Sequence, residues 1–324
     1  MRAIQADELT SIDGYREVML PLPEPGPSQV RIKIGACGIG YVDALRALGR
    51  YQVKPPLPNI PGGEVGGTID ALGPGVEGFA PGDRVMAMLR GGFAEYGLAP
   101  VASIRAIPDA MSFEQAAGFK INYLTALNGL RDRAALRPGE RLLVTGAAGG
   151  VGLAALQVGR ALGAEVIAAA STTEKRAFAL AHGAQAAIDT APEGWRDRLK
   201  TLTGGKGVDV VFDPVCGPLF ELAFRSLAWR GRHLVVGFAG GPIPALPSNL
   251  TIMKGASLVG VDVRQLMEFE GPHAEDLLSE LLGWVAEGRL TPPVGRVFPF
   301  SQAREALTYA LGGAGIGKTV LTLG

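Results

Sequence analysis

A glycine-rich turn between an apolar strand and an Ala/Leu-rich helix constrains the fold of this chain more than any other feature. Residues 142–152 read LLVTGAAGGVG, and helical patterns lie before this run over Asn122–Arg133 and after its start over Val151–Leu162. Beyond this point strand and helix signals alternate as far as residue 263. Strands separated by helices in this way predict a parallel, doubly wound sheet, and hence an α/β fold.

The turn itself predicts a dinucleotide site. Gly149 lets the backbone approach a pyrophosphate, Gly152 allows the helix to pack closely on the strand, and the helix N-terminus offers free N–H groups. Ala147 takes the place of the first glycine of the fingerprint, so the match is to a variant. The residues predicted to bind the phosphates are Gly146, Ala148, Gly149, Gly150 and Val151.

The end of the second strand of this region indicates which dinucleotide is bound. The strand ends in Ser171, without the Asp or Glu that binds the ribose hydroxyls in NAD sites. Ser171 and Lys175 can bind a 2′-phosphate, which predicts NADPH. Two points argue against NADPH and for NAD. Glu174 is nearby, and Lys175 and Arg176 could be ordinary solvated helix residues.

The two ends of the chain have a different pattern. Residues 1–115 contain short strand signals and turns, and Val30–Ile34 alternates apolar and polar residues as a half-buried strand does. From about residue 264 the tail adds a helix over Ala274–Glu287 and a strand over Thr319–Leu323, but no further strand–helix unit. The sequence therefore predicts an all-β domain in addition to the parallel sheet.

Composition excludes several classes of protein. Lys+Arg and Asp+Glu are both 31, so the basic excess that nucleic acids and anionic membranes select is absent overall. No apolar run reaches the roughly 18–20 residues that span a bilayer, and the N-terminus is too polar for a signal peptide. Two cysteines, Cys37 and Cys216, argue against a disulfide framework. We expect a soluble cytoplasmic protein that binds neither nucleic acid nor membranes.

Further motifs carry a family resemblance. They are ACGIGYVD at 36–43, PGGEVGG at 61–67, GFAEY at 92–96, VDVVFDPV at 208–215 and GKTV at 317–320. Together with the glycine turn, this set resembles the zinc-independent, zeta-crystallin-like quinone oxidoreductases of the medium-chain dehydrogenase/reductase superfamily over essentially the whole chain.

The resemblance implies a domain organisation and a partner. It implies a GroES-like β-barrel catalytic domain over residues 1–118 and a Rossmann NADPH-binding domain over 119–263. A return segment over 264–324 would complete the catalytic domain. Many relatives are homodimers that pair through the last Rossmann strand, which corresponds to Ser257–Val263 in this sequence.

The resemblance also implies that no metal is bound. Gly40 stands where zinc-dependent relatives have a ligand cysteine, and Gly63 stands where they have a ligand histidine. Catalytic zinc needs about three protein ligands, and His182, His233 and His273 show no ligand spacing. Without zinc an alcohol is hard to activate, so a conjugated acceptor such as a quinone is the more natural substrate for hydride from NADPH.

The resemblance assigns roles to individual residues. Three of these residues also have a purely structural interpretation: Tyr51 as a packing aromatic, Thr125 as an ordinary helix position and Lys318 as a surface residue. Gly40 and Leu45 replace an asparagine and a tyrosine found in quinone reductases, which leaves the substrate open. The catalytic candidates are Asp43, Tyr51, Asn122 and Thr125, and the further cofactor-binding candidates are Gly237, Phe238, Val261, Asp262, Val263 and Lys318.

The predicted function is therefore an NADPH:quinone reductase. A zinc-free NADPH-dependent reductase of enones or enoyl thioesters shares the fold and the cofactor. A non-catalytic NADPH-binding protein is a third alternative.

Overall fold

A computed structural model describes residues 1–313 and 315–323, and the chain divides into two units. The first unit contains Met1–Lys120 and the chain from Pro292 onward, and the second contains Ile121–Thr291. The second unit thus continues past the predicted boundary at 263/264 and includes the long helix near its end.

The strands divide between the two units. In chain order, the strands of the described residues are β1 Arg2–Gln5, β2 Arg16–Met19, β3 Gln29–Ile39, β4 Glu64–Leu72, β5 Arg84–Met88, β6 Tyr96–Pro100, β7 Ile104–Ala106, β8 Arg141–Val144, β9 Glu165–Ala169, β10 Ala186–Ile188, β11 Val208–Asp213, β12 Leu227–Val235, β13 Ser257–Gly260, β14 Val294–Pro299 and β15 Lys318–Thr322.

The helices lie mostly in the second unit. In chain order, the α-helices of the described residues are α1 Tyr41–Ala47, α2 Phe113–Ala116, α3 Lys120–Leu127, α4 Gly150–Ala161, α5 Thr173–Ala181, α6 Trp195–Leu202, α7 Phe220–Arg225, α8 Asn249–Lys254, α9 Val263–Phe269, α10 Gly271–Ala286 and α11 Ala303–Leu311.

A mostly antiparallel sheet forms the first unit. Its strand order is β14-β15-β3-β4-β5-β7, β6 also pairs with β3, and β1 and β2 form a separate two-stranded sheet. Val30, Ile32 and Ile34 on β3 are buried, while Lys33 between them is exposed. The alternation predicted from the sequence is confirmed, because side chains on a strand point to opposite faces in turn.

A six-stranded parallel sheet forms the second unit. Its order is β10-β9-β8-β11-β12-β13, so the chain runs outward from β8 on one side and from β11 on the other. The sheet is the predicted doubly wound Rossmann arrangement. In such sheets ligands bind beyond the carboxyl ends of the strands, at the point where the strand order reverses. Here this switch point lies between β8 and β11.

Two local predictions differ from the structure. The sequence predicts one helix over Asn122–Arg133, whereas α3 ends at Leu127 and a π-helical segment follows over Asn128–Arg133. The sequence also predicts a strand over Ser257–Val263, whereas β13 ends at Gly260. The strand stops there because the Asp262 carboxylate accepts hydrogen bonds from the backbone N–H groups of Arg264 and Gln265, and so caps α9.

The long helix α10 is tied to the second unit by polar contacts. The Arg131 guanidinium donates to the Glu280 carboxylate at 2.6 Å, and His273 Nε2 lies 2.9 Å from Asp132 Oδ2. Arg131 and Asp132 both belong to the π-helical segment. Within the described ranges, the structure contains no helix both long and apolar enough to cross a bilayer.

Candidate active site

The glycine turn joins the end of β8 to the start of α4. Gly146 has φ of 55°, a left-handed conformation that favours glycine, and its carbonyl accepts the N–H of Gly149 at 2.9 Å. A side chain on Gly152 would overlap the Gly146 carbonyl oxygen. Gly152 is therefore needed for the close helix–strand packing that the sequence predicts.

Gly149 differs from the other glycines of the turn. Its φ of −82° and ψ of 168° suit any residue, and a Cβ built on it would meet only the Gly146 carbonyl oxygen, at 3.4 Å. The protein itself therefore has room for a side chain at Gly149. A strict need for glycine there would have to come from a bound group, as predicted for a pyrophosphate.

Asn122 lies against the same turn. A Cβ on Gly150 would come within 2.8 Å of the Asn122 side-chain Nδ2, and Asn122 is buried. The structure thus places a residue predicted to be catalytic beside the first residue of α4, within the second unit.

Thr125 and Tyr123 are buried in α3. The Thr125 hydroxyl donates to the carbonyl of Ile121 at 2.6 Å, and the Tyr123 phenol donates to Gln157 at 2.8 Å. Burial raises the pKa of Tyr123 far above its usual value. Both hydroxyl protons are therefore held inside the second unit.

The end of β9 carries the residues predicted to bind the 2′-phosphate. Ser171 is exposed two residues after the end of the strand, and Lys175 is partly exposed on α5. Arg176 bends back so that its Nη1 donates to the carbonyls of Ala170 and Ser171, at 3.1 and 3.3 Å. The sequence had left Arg176 without a role. Its cation is fixed at the strand end by main-chain oxygens that a sequence pattern does not reveal.

The remaining predicted cofactor residues of this unit follow β12 and β13. Gly237 and Phe238 come after β12, and Phe238 is exposed. The N–H of Val261 donates to the carbonyl of Val235 at 3.0 Å, and Val263 begins α9. Because the carboxyl ends of parallel strands meet at one edge, these residues lie on the same sheet edge as the glycine turn and Ser171. We call this the carboxyl edge.

In the first unit, Asp43 and Lys318 flank Gly40. Asp43 Oδ2 accepts the N–H of Gly40 at 2.7 Å. A Cβ on Gly40 would lie 3.4 Å from Asp43 Oδ2 and 3.6 Å from Lys318 Nζ. The residue that stands at the cysteine position of zinc-dependent relatives is therefore bordered by a carboxylate and an ammonium.

Lys318 is held by Glu64, a residue that the sequence reasoning missed. Lys318 Nζ lies 3.4 Å from Glu64 Oε2, and the Lys318 side chain is only 13% exposed. The alternative that Lys318 is a surface residue is wrong. Burial lowers the pKa of Lys318, but the charges of Glu64 and Asp43 outweigh it, and the net pKa is raised. Lys318 is an ammonium at neutral pH.

Tyr51 lies beyond the end of α1. The Arg46 guanidinium lies over the Tyr51 ring, 5.1 Å from the ring centroid, and Tyr51 is partly buried. This cation–π contact is compatible with Tyr51 as a packing aromatic and with Tyr51 as a catalytic residue.

The cysteines and His182 lie in ordinary structural surroundings. Cys37 and Cys216 are free and buried, and burial raises the pKa of both thiols, that of Cys216 to about 12. His182 Nδ1 lies 2.8 Å from the carbonyl of Phe178. Over residues 1–313 and 315–323, no three His, Cys, Asp or Glu side chains are grouped to hold a metal ion.

Comparisons with known proteins cover both units. Residues 26–109 match the family model of the alcohol dehydrogenase GroES-like domain, and residues 150–280 match that of the zinc-binding dehydrogenases. The chain is 36% identical to the quinone oxidoreductase-like protein 2 homolog of Nematostella vectensis over 91% of this chain and 82% of that protein. It is 34% identical to the quinone oxidoreductase of Homo sapiens over 100% and 98%.

The chain belongs to the quinone oxidoreductase family of the medium-chain dehydrogenase/reductase superfamily. Its fold is that of the superfamily, with a GroES-like domain and a Rossmann domain.

Solved structures are similar to this quinone oxidoreductase family member over the whole chain. The Escherichia coli quinone oxidoreductase complexed with NADPH matches with a TM-score of 0.88 at 27% identity, over 100% of each chain. An NAD-dependent alcohol dehydrogenase matches with 0.91 at 31%, over 100% of each chain. The CurK enoyl reductase matches with 0.89 at 26%, over 100% of this chain and 99% of that one. The family binds NADP(H).

Proposed function

We propose that this family member is an NADPH:quinone oxidoreductase that works without a metal ion. The observation that carries the proposal is the carboxyl edge of the second unit. There a Cβ on Gly149 would make only one ordinary contact, with the Gly146 carbonyl oxygen, and the adjacent strand end offers Lys175 and Arg176 but no acid directly after β9. NADPH, when bound, would supply the hydride for the reaction.

The residues of this edge fit the parts of NADPH. The backbone N–H groups at the start of α4 face the side where a pyrophosphate would lie, and the helix dipole favours its negative charge. Ser171 and Lys175 would bind the 2′-phosphate, with Arg176 adding a fixed positive charge. The further residues proposed to hold the cofactor are Gly237, Phe238, Val261, Asp262, Val263 and Lys318. Asp262 would act through its backbone, since its carboxylate caps α9.

The first unit supports the metal-free part of the proposal. Gly40 and Gly63, at the two ligand positions, have no side chain to coordinate zinc. The Lys318 ammonium near Gly40 would also repel a divalent cation. Zinc found at one equivalent per chain in the purified protein would contradict this part.

A conjugated acceptor needs less help from the protein than an alcohol does. Charge that develops on its oxygen is delocalised, and the protein has to orient the acceptor and let a proton arrive. The residues proposed for these two tasks are Asp43, Tyr51, Asn122 and Thr125. Because the Thr125 hydroxyl donates to Ile121, we expect the proton to come from Tyr51 or from solvent.

The proposal predicts the acceptor. With NADPH as donor, kcat/KM for 1,4-benzoquinone is expected to exceed that for an α,β-unsaturated ketone or acyl-CoA by about tenfold or more, which is about 1.4 kcal/mol of transition-state stabilisation. Initial rates of NADPH oxidation measure both acceptors side by side. The likeness to an enoyl reductase makes alkene reduction the second candidate, and a preference for the alkene would establish it. NADPH binding with no turnover of either acceptor would favour a non-catalytic protein.

The cofactor preference gives a second prediction. Lys175→Ala is expected to raise the Kd for NADPH about tenfold and to leave that for NADH within about twofold, since only NADPH carries the 2′-phosphate. Calorimetric titration of both cofactors measures this. Lys200→Ala, on the exposed part of α6, is the matched control and should change neither. Equal affinities of the parent protein for the two cofactors would refute the assignment of this pocket.

We also propose a homodimer that pairs through β13. This strand is the outer edge of the parallel sheet, and large apolar side chains are exposed beside it: Trp229 is 72% and Ile252 83% exposed. An open strand edge with adjoining apolar surface is a typical pairing site. Sedimentation as a 33.7 kDa monomer at micromolar concentration would exclude the dimer.

A further inference from the structure

A buried polar network lies directly beneath the glycine turn. Asp213, the last residue of β11, accepts a hydrogen bond from the Thr145 hydroxyl through Oδ1, and its Oδ2 lies 3.1 Å from His233 Nε2. All three residues are buried, and His233 is 0% exposed. Thr145 immediately precedes Gly146, so one end of the network is covalently part of the turn.

The Asp213 carboxylate collects donors from several segments. Besides Thr145 and His233, its Oδ1 accepts the N–H groups of Val215 at 3.0 Å and Cys216 at 2.8 Å. Burial would raise the pKa of Asp213, but the hydrogen bonds from His233, Thr145 and Cys216, together with the charge of His233, lower it. Asp213 is therefore a carboxylate whose position is fixed from several sides.

The loops that leave the carboxyl edge are joined through the same residue. A Cβ on Gly146 would come within 2.8 Å of the Val215 side chain, so the 214–216 turn packs on the glycine turn. The backbone of Asp213 accepts the N–H of Val236 at 3.0 Å, and that of Val215 accepts the N–H of Gly240 at 2.8 Å. Asp213 thus links the glycine turn to the loop that follows β12.

This 214–216 turn is also strained. Cys216 has φ of 45°, a left-handed conformation that is uncommon for residues other than glycine. Such conformations persist only where the surroundings fix them, and they cluster at functional sites. The Cys216 N–H donates to Asp213 Oδ1, its thiol lies 3.5 Å from the Asp213 carbonyl oxygen, and its side chain is buried, so several contacts hold it here.

Burying a carboxylate between two strands costs desolvation free energy. An apolar pair of similar volume would serve as well in a purely structural role. His233 Nδ1 is buried and has no hydrogen-bond partner among the described residues, which adds to the cost. The network lies at the switch point between β8 and β11, where doubly wound sheets bind their ligands.

We propose that Asp213 is a positioning residue for the cofactor and acts through Thr145. This inference rests on the proposed function, in which the glycine turn binds NADPH. By fixing the Thr145 side chain and the 214–216 turn, Asp213 keeps the N–H groups at the start of α4 oriented before the phosphates arrive. A turn held in its binding conformation loses less entropy on binding, so the cofactor binds more tightly.

The test compares variants at the two ends of the same strand pair. Thr145→Val removes one hydroxyl and keeps the volume, and we expect it to raise the Kd and KM for NADPH about tenfold with kcat within about twofold. Thr145→Ser keeps the hydroxyl and should stay within about twofold of the parent protein. Asp213→Asn removes the charge and should weaken NADPH binding at least as much as Thr145→Val.

Asp209→Asn is the matched control. Asp209 lies at the start of β11 and accepts the N–H of Arg141, at the start of β8, at 2.8 Å. It joins the same two strands at the edge away from the nucleotide. Asparagine keeps an acceptor oxygen but loses the charge, so the substitution should lower Tm slightly without changing the Kd for NADPH.

The outcomes separate the two proposals. A parent protein that does not bind NADPH would overturn the proposed function and this inference with it. If the parent binds NADPH and Thr145→Val binds it equally well, only the positioning role is refuted. The same holds if Asp209→Asn weakens binding as much as Thr145→Val does, because the network would then be merely structural. If Asp213→Asn does not fold, the Thr145 pair still decides the question.

Discussion

Gly149→Val is expected to give a folded protein that binds NADPH about 100-fold more weakly or worse. The backbone at Gly149 has dihedral angles that valine adopts readily, and a Cβ there meets only one protein atom, at 3.4 Å. The added methyl groups would occupy the space through which the turn approaches the pyrophosphate. The cost to the protein itself is the loss of a favourable N-cap residue, about 1 kcal/mol. Calorimetric titration with NADPH and thermal unfolding measure the two effects separately.

Gly152→Ala is the matched control for this prediction. Its Cβ would overlap the Gly146 carbonyl oxygen, so the substitution should lower Tm strongly before any ligand is present. One glycine of the turn is thus expected to serve the ligand and the other to serve the packing. Undiminished NADPH affinity in Gly149→Val would show that the pyrophosphate does not lie over this turn.

Lys318→Met is expected to lower the free energy of unfolding by about 1.5–3 kcal/mol, because the buried Glu64 carboxylate loses an ion-pair partner. Glu64 is only 5% exposed, and its Oε2 lies 3.4 Å from Lys318 Nζ. Urea unfolding at pH 7 measures the loss. Lys33→Met, on the exposed face of β3, is the matched control and should cost less than about 0.5 kcal/mol.

The pH dependence of this loss follows from the raised pKa of Lys318. A group whose pKa is higher in the folded state stabilises that state fully below its unfolded pKa, about 10.4 for lysine, and ceases to do so as the pH rises through the folded pKa. The difference between the parent and Lys318→Met should therefore be constant from pH 7 to 9 and shrink only in strong alkali.

A double variant tests whether the cost comes from the charge of the Glu64 carboxylate. Glu64→Gln in the Lys318→Met background removes the negative charge that faced Lys318 and should recover part of the lost stability. If Lys318→Met alone were as stable as Lys33→Met, the Lys318 ammonium would not be paired with Glu64 in solution, and Lys318 would be an ordinary surface residue.

Local sequence patterns were enough to predict the fold. The alternation of Val30, Ile32 and Ile34 predicted part of β3, and the Ala/Leu-rich run predicted α4 to within one residue at each end. The strand, glycine turn and helix order predicted the Rossmann sheet. These features are set by residues close together in the chain, so their periodicity is visible without a structure.

Local patterns failed where a nearby side chain or a distant element decides the backbone. The end of β13 is set by the Asp262 carboxylate, and the π-helical segment after Leu127 is held by partners on α10. Residues 122–133 have an ordinary helical composition, which does not distinguish an α-helix from a π-helix.

By itself, the sequence determined the two kinds of sheet, the glycine turn and the absence of an acid directly after β9. Only the tertiary structure decided that Lys318 pairs with Glu64, that Arg176 bends back onto its strand end, and that Asp213 joins Thr145 to His233. Lys318 and Glu64 are 254 positions apart, and Asp213 and Thr145 are 68 apart. Charged and polar side chains acquire their partners from whichever strands the fold brings alongside them, and no periodicity in the chain records that choice.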